Sequence, residues 1–145
     1  MTYLTQAEAD ALRMMEKFYM GKEYFSFPDF GGRIAVPLLS HDEKEEFFLD
    51  VSRSQIALKH TLQNRARKTV ILARLDSGGA PHRNPDGEEV PCPHLHLYRE
   101  GFGDKWACSL PDAFSQPNDI WRTLDEFMQF CHIVKKPNIR KGLCT

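Results

Sequence analysis

The sequence predicts an α+β fold, with an antiparallel β-sheet flanked by an N-terminal and a C-terminal helix. Two observations carry the prediction. Apolar residues recur at helical spacing near both ends, and the segments between them alternate or run in short apolar stretches, as strands do. The order helix, several strands, helix then points to an antiparallel sheet. A chain of 145 residues is the size of one ordinary domain, taken here as residues 1–145.

The elements follow in order. Thr5 is an N-cap candidate and Glu8 stands at capping-box spacing, so a helix starts there. Leu12, Met15, Phe18 and Tyr19 continue its apolar stripe, and Gly21 ends it. Tyr24 to Phe27 is a short aromatic strand, followed by the turn cluster Pro28-Asp29-Phe30-Gly31-Gly32. Arg33 to Leu39 reads as a strand, and Pro37 assigns it to a sheet edge. Asp42 to Glu46 is a polar, acidic connection. Phe47 to Val51 and Gln55 to Leu62 read as strands, and Asn64-Arg65-Ala66-Arg67 has the length and polarity of a hairpin turn. Lys68 to Asp76 is the clearest strand, carrying Val70, Ile71, Leu72 and Leu75. Ser77 to Pro93 is a long loop rich in Gly and Pro, the kind that carries function or stays disordered. His94 to Arg99 alternates strictly as a strand, and Asp104 to Leu110 forms another around Trp106. Asn118 or Asp119 caps a second helix through about Val134, with Ile120, Trp121, Leu124, Phe127, Met128 and Cys131 as its buried stripe and Pro137 as its stop.

Composition excludes several classes. Hydrophobic residues at 41% and charged residues at 27% are close to the globular average, which excludes bulk disorder. No apolar run approaches the roughly 18 residues that a membrane-spanning helix needs, so no membrane partner is expected. Met1 to Asp10 lacks the basic and apolar regions of a secretory signal, so a cytoplasmic location is expected. Cys92, Cys108, Cys131 and Cys144 are then expected as reduced thiols. None forms a C-x-x-C pair, which speaks against zinc-ribbon and thioredoxin readings.

The residues that promise chemistry flank the long loop. Side chains alternate faces along a strand, so His94, His96 and Tyr98 share one face while Leu95 and Leu97 point to the core. Arg74 and Asp76 share a face on the preceding strand. If the two strands are neighbours, a guanidinium and a carboxylate lie beside two imidazoles, and His82 in the loop folds back over them. Three accounts fit this pattern. Paired histidines can give and take protons near neutral pH beside a cation that stabilises a phosphorane, the logic of a metal-independent ribonuclease. H-x-H on a strand is also a chelate that Asp76, His82 or Cys92 could complete. The third account is ordinary hydrogen-bonded histidines on a polar strand face.

Two motif likenesses fail on particular residues. The alternation His94-Leu95-His96-Leu97-Tyr98 is similar to the histidine-triad nucleotide hydrolases, but Tyr98 stands at the third histidine position. His94-x-His96-x-x-x-Glu100 is similar to the first cupin motif, but Ala107 stands where its glycine belongs and no second motif follows.

The segment ARLDSGGAPHRNPDGEEVPCPHLHLYREGFGDKWA, with TQAEADAL near the N-terminus, resembles an uncharacterised bacterial family of about this length found in mobile or phage-derived regions. That resemblance implies no activity. Arg74 and Asp76, then Ala80-Pro81-His82, then Pro93-His94 and His96 are more distantly similar to the TumE-type toxins of toxin–antitoxin operons. Here the loop carries Asn84 to Val90 as an insertion, and the second histidine spacing is one residue rather than two. This similarity implies a small toxin acting on nucleic acid or translation, with an antitoxin-like protein as partner.

Charge is distributed unevenly. Lys plus Arg is 19 and Asp plus Glu is 20, a net of −1, which excludes a uniformly basic coat for duplex DNA. Between Val51 and Arg83, however, seven cations face one anion, a net of +6. A basic hairpin leading into the histidine loop suits phosphate contacts. The leading expectation is a toxin-like ribonuclease acting on RNA, with no cofactor and no metal. His94 and His96 would be acid and base, Arg74 the charge stabiliser, Asp76 an orienting carboxylate and His82 a participant from the loop. Arg65, Arg67, Lys68 and Arg83 would contact the nucleic acid. The alternatives are a non-enzymatic interaction protein of a mobile element, and a metal-dependent hydrolase built on the H-x-H pair.

Overall fold

A computed structural model describes residues 3–55 and 58–142. In chain order the elements are α1 (Gln6–Met14), β1 (Lys17–Phe18), β2 (Phe25–Ser26), β3 (Arg33–Ser40), β4 (Glu46–Arg53), β5 (His60–Ala66) and β6 (Val70–Ser77). They continue with β7 (His82–Arg83), β8 (Glu89–Val90), β9 (His94–Leu97), β10 (Ala107–Ser109), α2 (Ile120–Phe130), β11 (Ile133–Lys135) and β12 (Ile139–Arg140). Eight strands form one sheet in the order β10-β9-β6-β5-β4-β3-β1-β11. Its pairings are antiparallel except that of β1 with β11. The fold is α+β, with a parallel pair at one rim that the sequence pattern did not announce. Among the described residues no helix is long and apolar enough to cross a membrane.

Alternation along the central strands decides which face is covered. Val36 and Leu38, Phe47, Leu49 and Val51, Leu62 and Ala66, and Leu75 and Leu95 are all buried. They join one core cluster with Ala9 and Leu12 of α1 and Leu124, Phe127 and Met128 of α2. The opposite row contains Ala35, Asp50, Gln63, Arg74 and His96, and beside it Ser52, Thr61, Asp76 and His94, in direct lateral register. The helices therefore cover the apolar face and leave the other, polar face of the sheet open.

Several predicted boundaries move. Thr5 caps α1 through a complete capping box with Glu8. The helix stops at Met14 rather than near Gly21, because residues 17–18 are drawn into the sheet: Lys17 N–H donates to His132 O at 2.8 Å and Tyr19 N–H to Lys135 O at 2.9 Å. Lys17 itself is fully buried, and its Nζ donates to the carbonyls of Arg13, Met15 and Cys131 at 2.9, 2.9 and 2.7 Å. One ammonium thus satisfies orphan carbonyls at the C-terminal ends of both helices. Asp119 caps α2 as expected, but His132 in the left-handed region (φ 58°) ends the helix before Val134, and Pro137 has no part in it. The expected strand Gln55 to Leu62 begins at His60; residues 56–57 lie outside the described ones. The expected turn at Asn64 to Arg67 is instead strand as far as Ala66, and the reversal falls on Arg67 and Lys68, both at positive φ. Pro37 keeps its edge character, because β1 pairs only with Ser40 and Leu39 of β3.

Candidate functional site

Strands β6 and β9 are antiparallel neighbours, with Arg74 opposite His96 and Asp76 opposite His94. This register sets the four side chains in a square on the open face. The long loop is not structureless. It folds a small hairpin from β7 and β8, which pairs His82 with Val90. Asn84, buried, ties that hairpin down: its amide donates to Ala107 O at 3.0 Å and accepts from Ala107 N–H at 2.8 Å. Gly78 begins the loop at φ 79°, where an added Cβ would lie 2.3 Å from Leu58 O, so only glycine fits there. These anchors return His82 over the strand histidines. Its ring centroid lies 4.5 Å from that of His96 and 5.9 Å from that of His94, and the latter two are 4.9 Å apart.

Contacts with backbone carbonyls place one proton on each ring. A carbonyl oxygen only accepts, so each ring nitrogen facing one carries the proton. His96 Nδ1–H donates to Asp104 O at 2.7 Å, and His94 Nδ1–H donates to Val90 O at 3.2 Å. Both Nε2 atoms then point to one oxygen, Asp76 Oδ2, each at 3.2 Å. His82 is turned the other way: its Nε2–H donates to Lys105 O at 2.7 Å, which leaves Nδ1 with the lone pair. Thr61 Oγ1 donates to Asp76 Oδ1 at 3.1 Å. Arg74 spans the edge of the cluster, with Nη1 on Asp104 at 2.5 Å, Nη2 on His96 Nε2 at 3.1 Å and Nε 3.5 Å from Asp76.

Burial alone would raise the Asp76 carboxyl. The hydrogen bond from His96, the Arg74 charge and the Thr61 hydroxyl outweigh it and hold the group well below the usual carboxylate range. Asp76 is therefore a carboxylate at neutral pH. Burial and the nearby Asp76 charge push the Cys92 thiol up. Its sulfur lies 3.5 Å from His94 Nδ1, on the side of the ring away from Asp76, so Cys92 does not complete the cluster. Tyr98 leaves the histidine face as well; its hydroxyl donates to Leu4 O and accepts from Leu4 N–H at the start of α1.

His94 is 2% exposed and His96 0%, whereas His82 is half-buried. Lys59, Arg74, Asp76, His82 and His94 line a small cavity of about 210 Å³. Lys59 also borders a second cavity of about 280 Å³ with Arg33, Arg53 and Thr61. That one shares Arg33, Ser52 and Thr61 with a third of about 490 Å³ over Asp50 and Gln63. Together they make a polar trough along the open face that ends at the histidines. Arg53 borders the second cavity but alternates to the other face, where its guanidinium lies 3.8 Å from the centre of the Phe30 ring and Nη1 is buried with no hydrogen-bond partner.

Of the expected nucleic-acid contacts, Arg65 lines the third cavity and Arg83 follows His82 in β7, whereas Arg67 and Lys68 are not brought to this place. Arg67 and Lys68 sit at the far tip of the β5–β6 hairpin, roughly 25 Å along the strand from Asp76 at about 3.3 Å per residue. Arg65 is locked on Asp50 at 2.6 and 2.9 Å, Arg67 pairs with Glu45 and Arg83 with Glu89. The residues that do line the site, Lys59, Thr61 and Asp104, were not singled out from the sequence. Thr61 comes from β5, Lys59 is the residue just before that strand, and Asp104 comes from the turn after β9; no local spacing marks them.

Residues 4–133 match the model of a family of unknown function, DUF6978. The chain belongs to that family. The match spans the whole histidine cluster and its loop, in keeping with the resemblance to an uncharacterised family of this length. No curated protein and no solved structure matches the chain. The likeness to TumE-type toxins finds no support in these comparisons.

Proposed function

We propose that the protein is a small cytoplasmic, nucleic-acid-directed hydrolase that cleaves single-stranded RNA in the manner of a toxin ribonuclease. One observation carries the reading: three imidazoles, a carboxylate and a guanidinium meet at the end of a trough walled by Arg33 and Lys59. A phosphodiester entering the small cavity meets Lys59 and Arg74, whose charges stabilise the phosphorane that forms as the 2′-hydroxyl attacks. His82 is the imidazole that substrate can reach, and its Nδ1 takes the hydroxyl proton. The O2′–P bond forms as the P–O5′ bond breaks, and the leaving oxygen takes a proton from water in the trough. His94 and His96, sealed from solvent, form the rear wall that orients His82 and Asp76 rather than the acid–base pair itself. The cavity suits a single strand and not a duplex. An antitoxin-like partner would neutralise such an enzyme by covering the trough.

The test is cleavage of a fluorescent single-stranded RNA by the purified chain. Wild type should cut it, a 2′-deoxy substitution at the cut site should block the reaction, and His82→Ala should reduce the rate by about 10²-fold or more. Absence of cleavage by wild type on any RNA, together with no growth arrest on induction, would refute the proposal.

A further inference from the structure

The rear wall has a property that acid–base chemistry at His82 does not need. His94 Nε2 and His96 Nε2 converge on Asp76 Oδ2, each at 3.2 Å from that one oxygen. Each Nδ1 faces a backbone carbonyl, so both rings turn Nε2 toward the carboxylate.

We infer that Asp76, His94 and His96 form a binding site for one divalent first-row transition-metal ion, with zinc as the expected occupant. Ligands at ~2.1 Å from a tetrahedral ion lie about 3.4 Å apart, and two edges of this triangle are 3.2 Å. All three ligand atoms lie within 4.8 Å of one another. The donor set of two imidazoles and one carboxylate suits zinc and its neighbours and leaves a position open. The surroundings are those of a ligand shell: each ring is fixed by Nδ1–H on a backbone carbonyl, and the carboxylate is held by Thr61 and Arg74 through its other oxygen. Asp76 and His94 face the small cavity with His82, Lys59 and Arg74, which supplies an entry path and room for water or a phosphate oxygen at the fourth position. On binding, Arg74 need release only its Nη2 contact, since Nη1 stays on Asp104.

The inference concerns the site of the hydrolase reading but stands on its geometry alone, and its test does not depend on catalysis. The full chain, stripped with chelator, is titrated with Zn²⁺ by calorimetry and with Co²⁺ by absorbance. One ion per chain is expected, with visible cobalt bands of a four- or five-coordinate site. His94→Ala and His96→Ala should each weaken binding by about 100-fold or more, while His82→Ala should leave the stoichiometry intact. Should those variants unfold, imidazole ¹⁵N spectra of wild type decide the matter. Zinc should shift the Nε2 resonances of His94 and His96 and leave their Nδ1–H signals in place. Absence of stoichiometric binding, or binding that survives both alanine substitutions, overturns the inference. RNA cleavage by protein that binds no metal would overturn it and leave the hydrolase standing. Metal binding without cleavage would do the reverse.

Discussion

Replacing Lys17 by methionine should destabilise the fold by about 2–4 kcal/mol and remove a particular pH dependence. Lys17 Nζ donates to three carbonyls, that of Cys131 in the interior, and lies 4.8 Å from the centre of the Phe47 ring. Methionine fills nearly the same space, so packing is kept and the three acceptors lose their donor. An unpaired buried acceptor costs roughly 1–3 kcal/mol, and relief of the buried charge offsets part of the total. A loss of that size lowers Tm by roughly 5–15 °C in a chain of this length. Burial pushes the Lys17 ammonium down to about 8 from its ordinary 10.5. Between those values the unfolded chain binds more protons than the folded one, so stability rises with pH. The contribution is full above the unfolded value and lost as pH falls through 8. The Cys131 thiol, raised to about 12 by burial, acts in the opposite direction above pH 9, but it is present in both proteins. The difference between wild type and Lys17→Met cancels it. Urea unfolding at closely spaced pH values should show wild type gaining on the variant between pH 8 and 10, by up to about 1.4 kcal/mol per unit. A difference that stays constant or narrows over that range would refute the account of Lys17 as a buried, charged cap.

Two further predictions concern the site. Asn84→Ala leaves both Ala107 backbone groups unpaired and should cost about 2–3 kcal/mol. Its sharper signature is faster amide exchange in β7 and β8 with β4 and β5 unchanged, and a slowed RNA reaction as His82 loses its seat; unaltered exchange in the hairpin would show that Asn84 does not anchor it. Arg33→Ala should weaken binding of a single-stranded RNA oligonucleotide and flatten its salt dependence by about 0.7, measured by fluorescence anisotropy. Arg67→Ala should do neither, and the opposite pattern would move the binding face to the hairpin tip.

What could be seen in the sequence follows from the range of the forces involved. The Thr5–Glu8 capping box and the Asp119 cap are local hydrogen-bonding patterns, and both form where the spacing puts them. The square of Arg74, Asp76, His94 and His96 was also legible, because a strict period of two fixes the face and two adjacent strands need only meet in register. The end of α1 was not. Met15, Phe18 and Tyr19 keep helical spacing, yet parallel pairing with β11, over a hundred residues away, wins the backbone of residues 17–18. The β5–β6 turn was misplaced for a similar reason. Asn64 to Ala66 look like turn residues, but Arg65 is held in strand by Asp50 and Ala66 by the core. Lys59, Thr61 and Asp104 reach the site only through tertiary pairing, so no spacing could have named them.

The histidine cluster differs from the polar groups that serve only to hold this fold together. A structural polar group in a protein interior is stable when each donor meets an acceptor. Lys17 meets that standard with three protons and three carbonyls. Asn84 meets it by giving and receiving one bond with the same residue, Ala107. At Asp76 the arrangement is of another kind. Thr61 and Arg74 engage Oδ1, while two imidazole Nε2 atoms converge on Oδ2 at 3.2 Å each. Two imidazoles and a carboxylate aimed at one point are the donor set of a transition-metal site, whereas Lys17 and Asn84 each meet backbone groups one to one, which is why the inferred ion is assigned here and not to either of them.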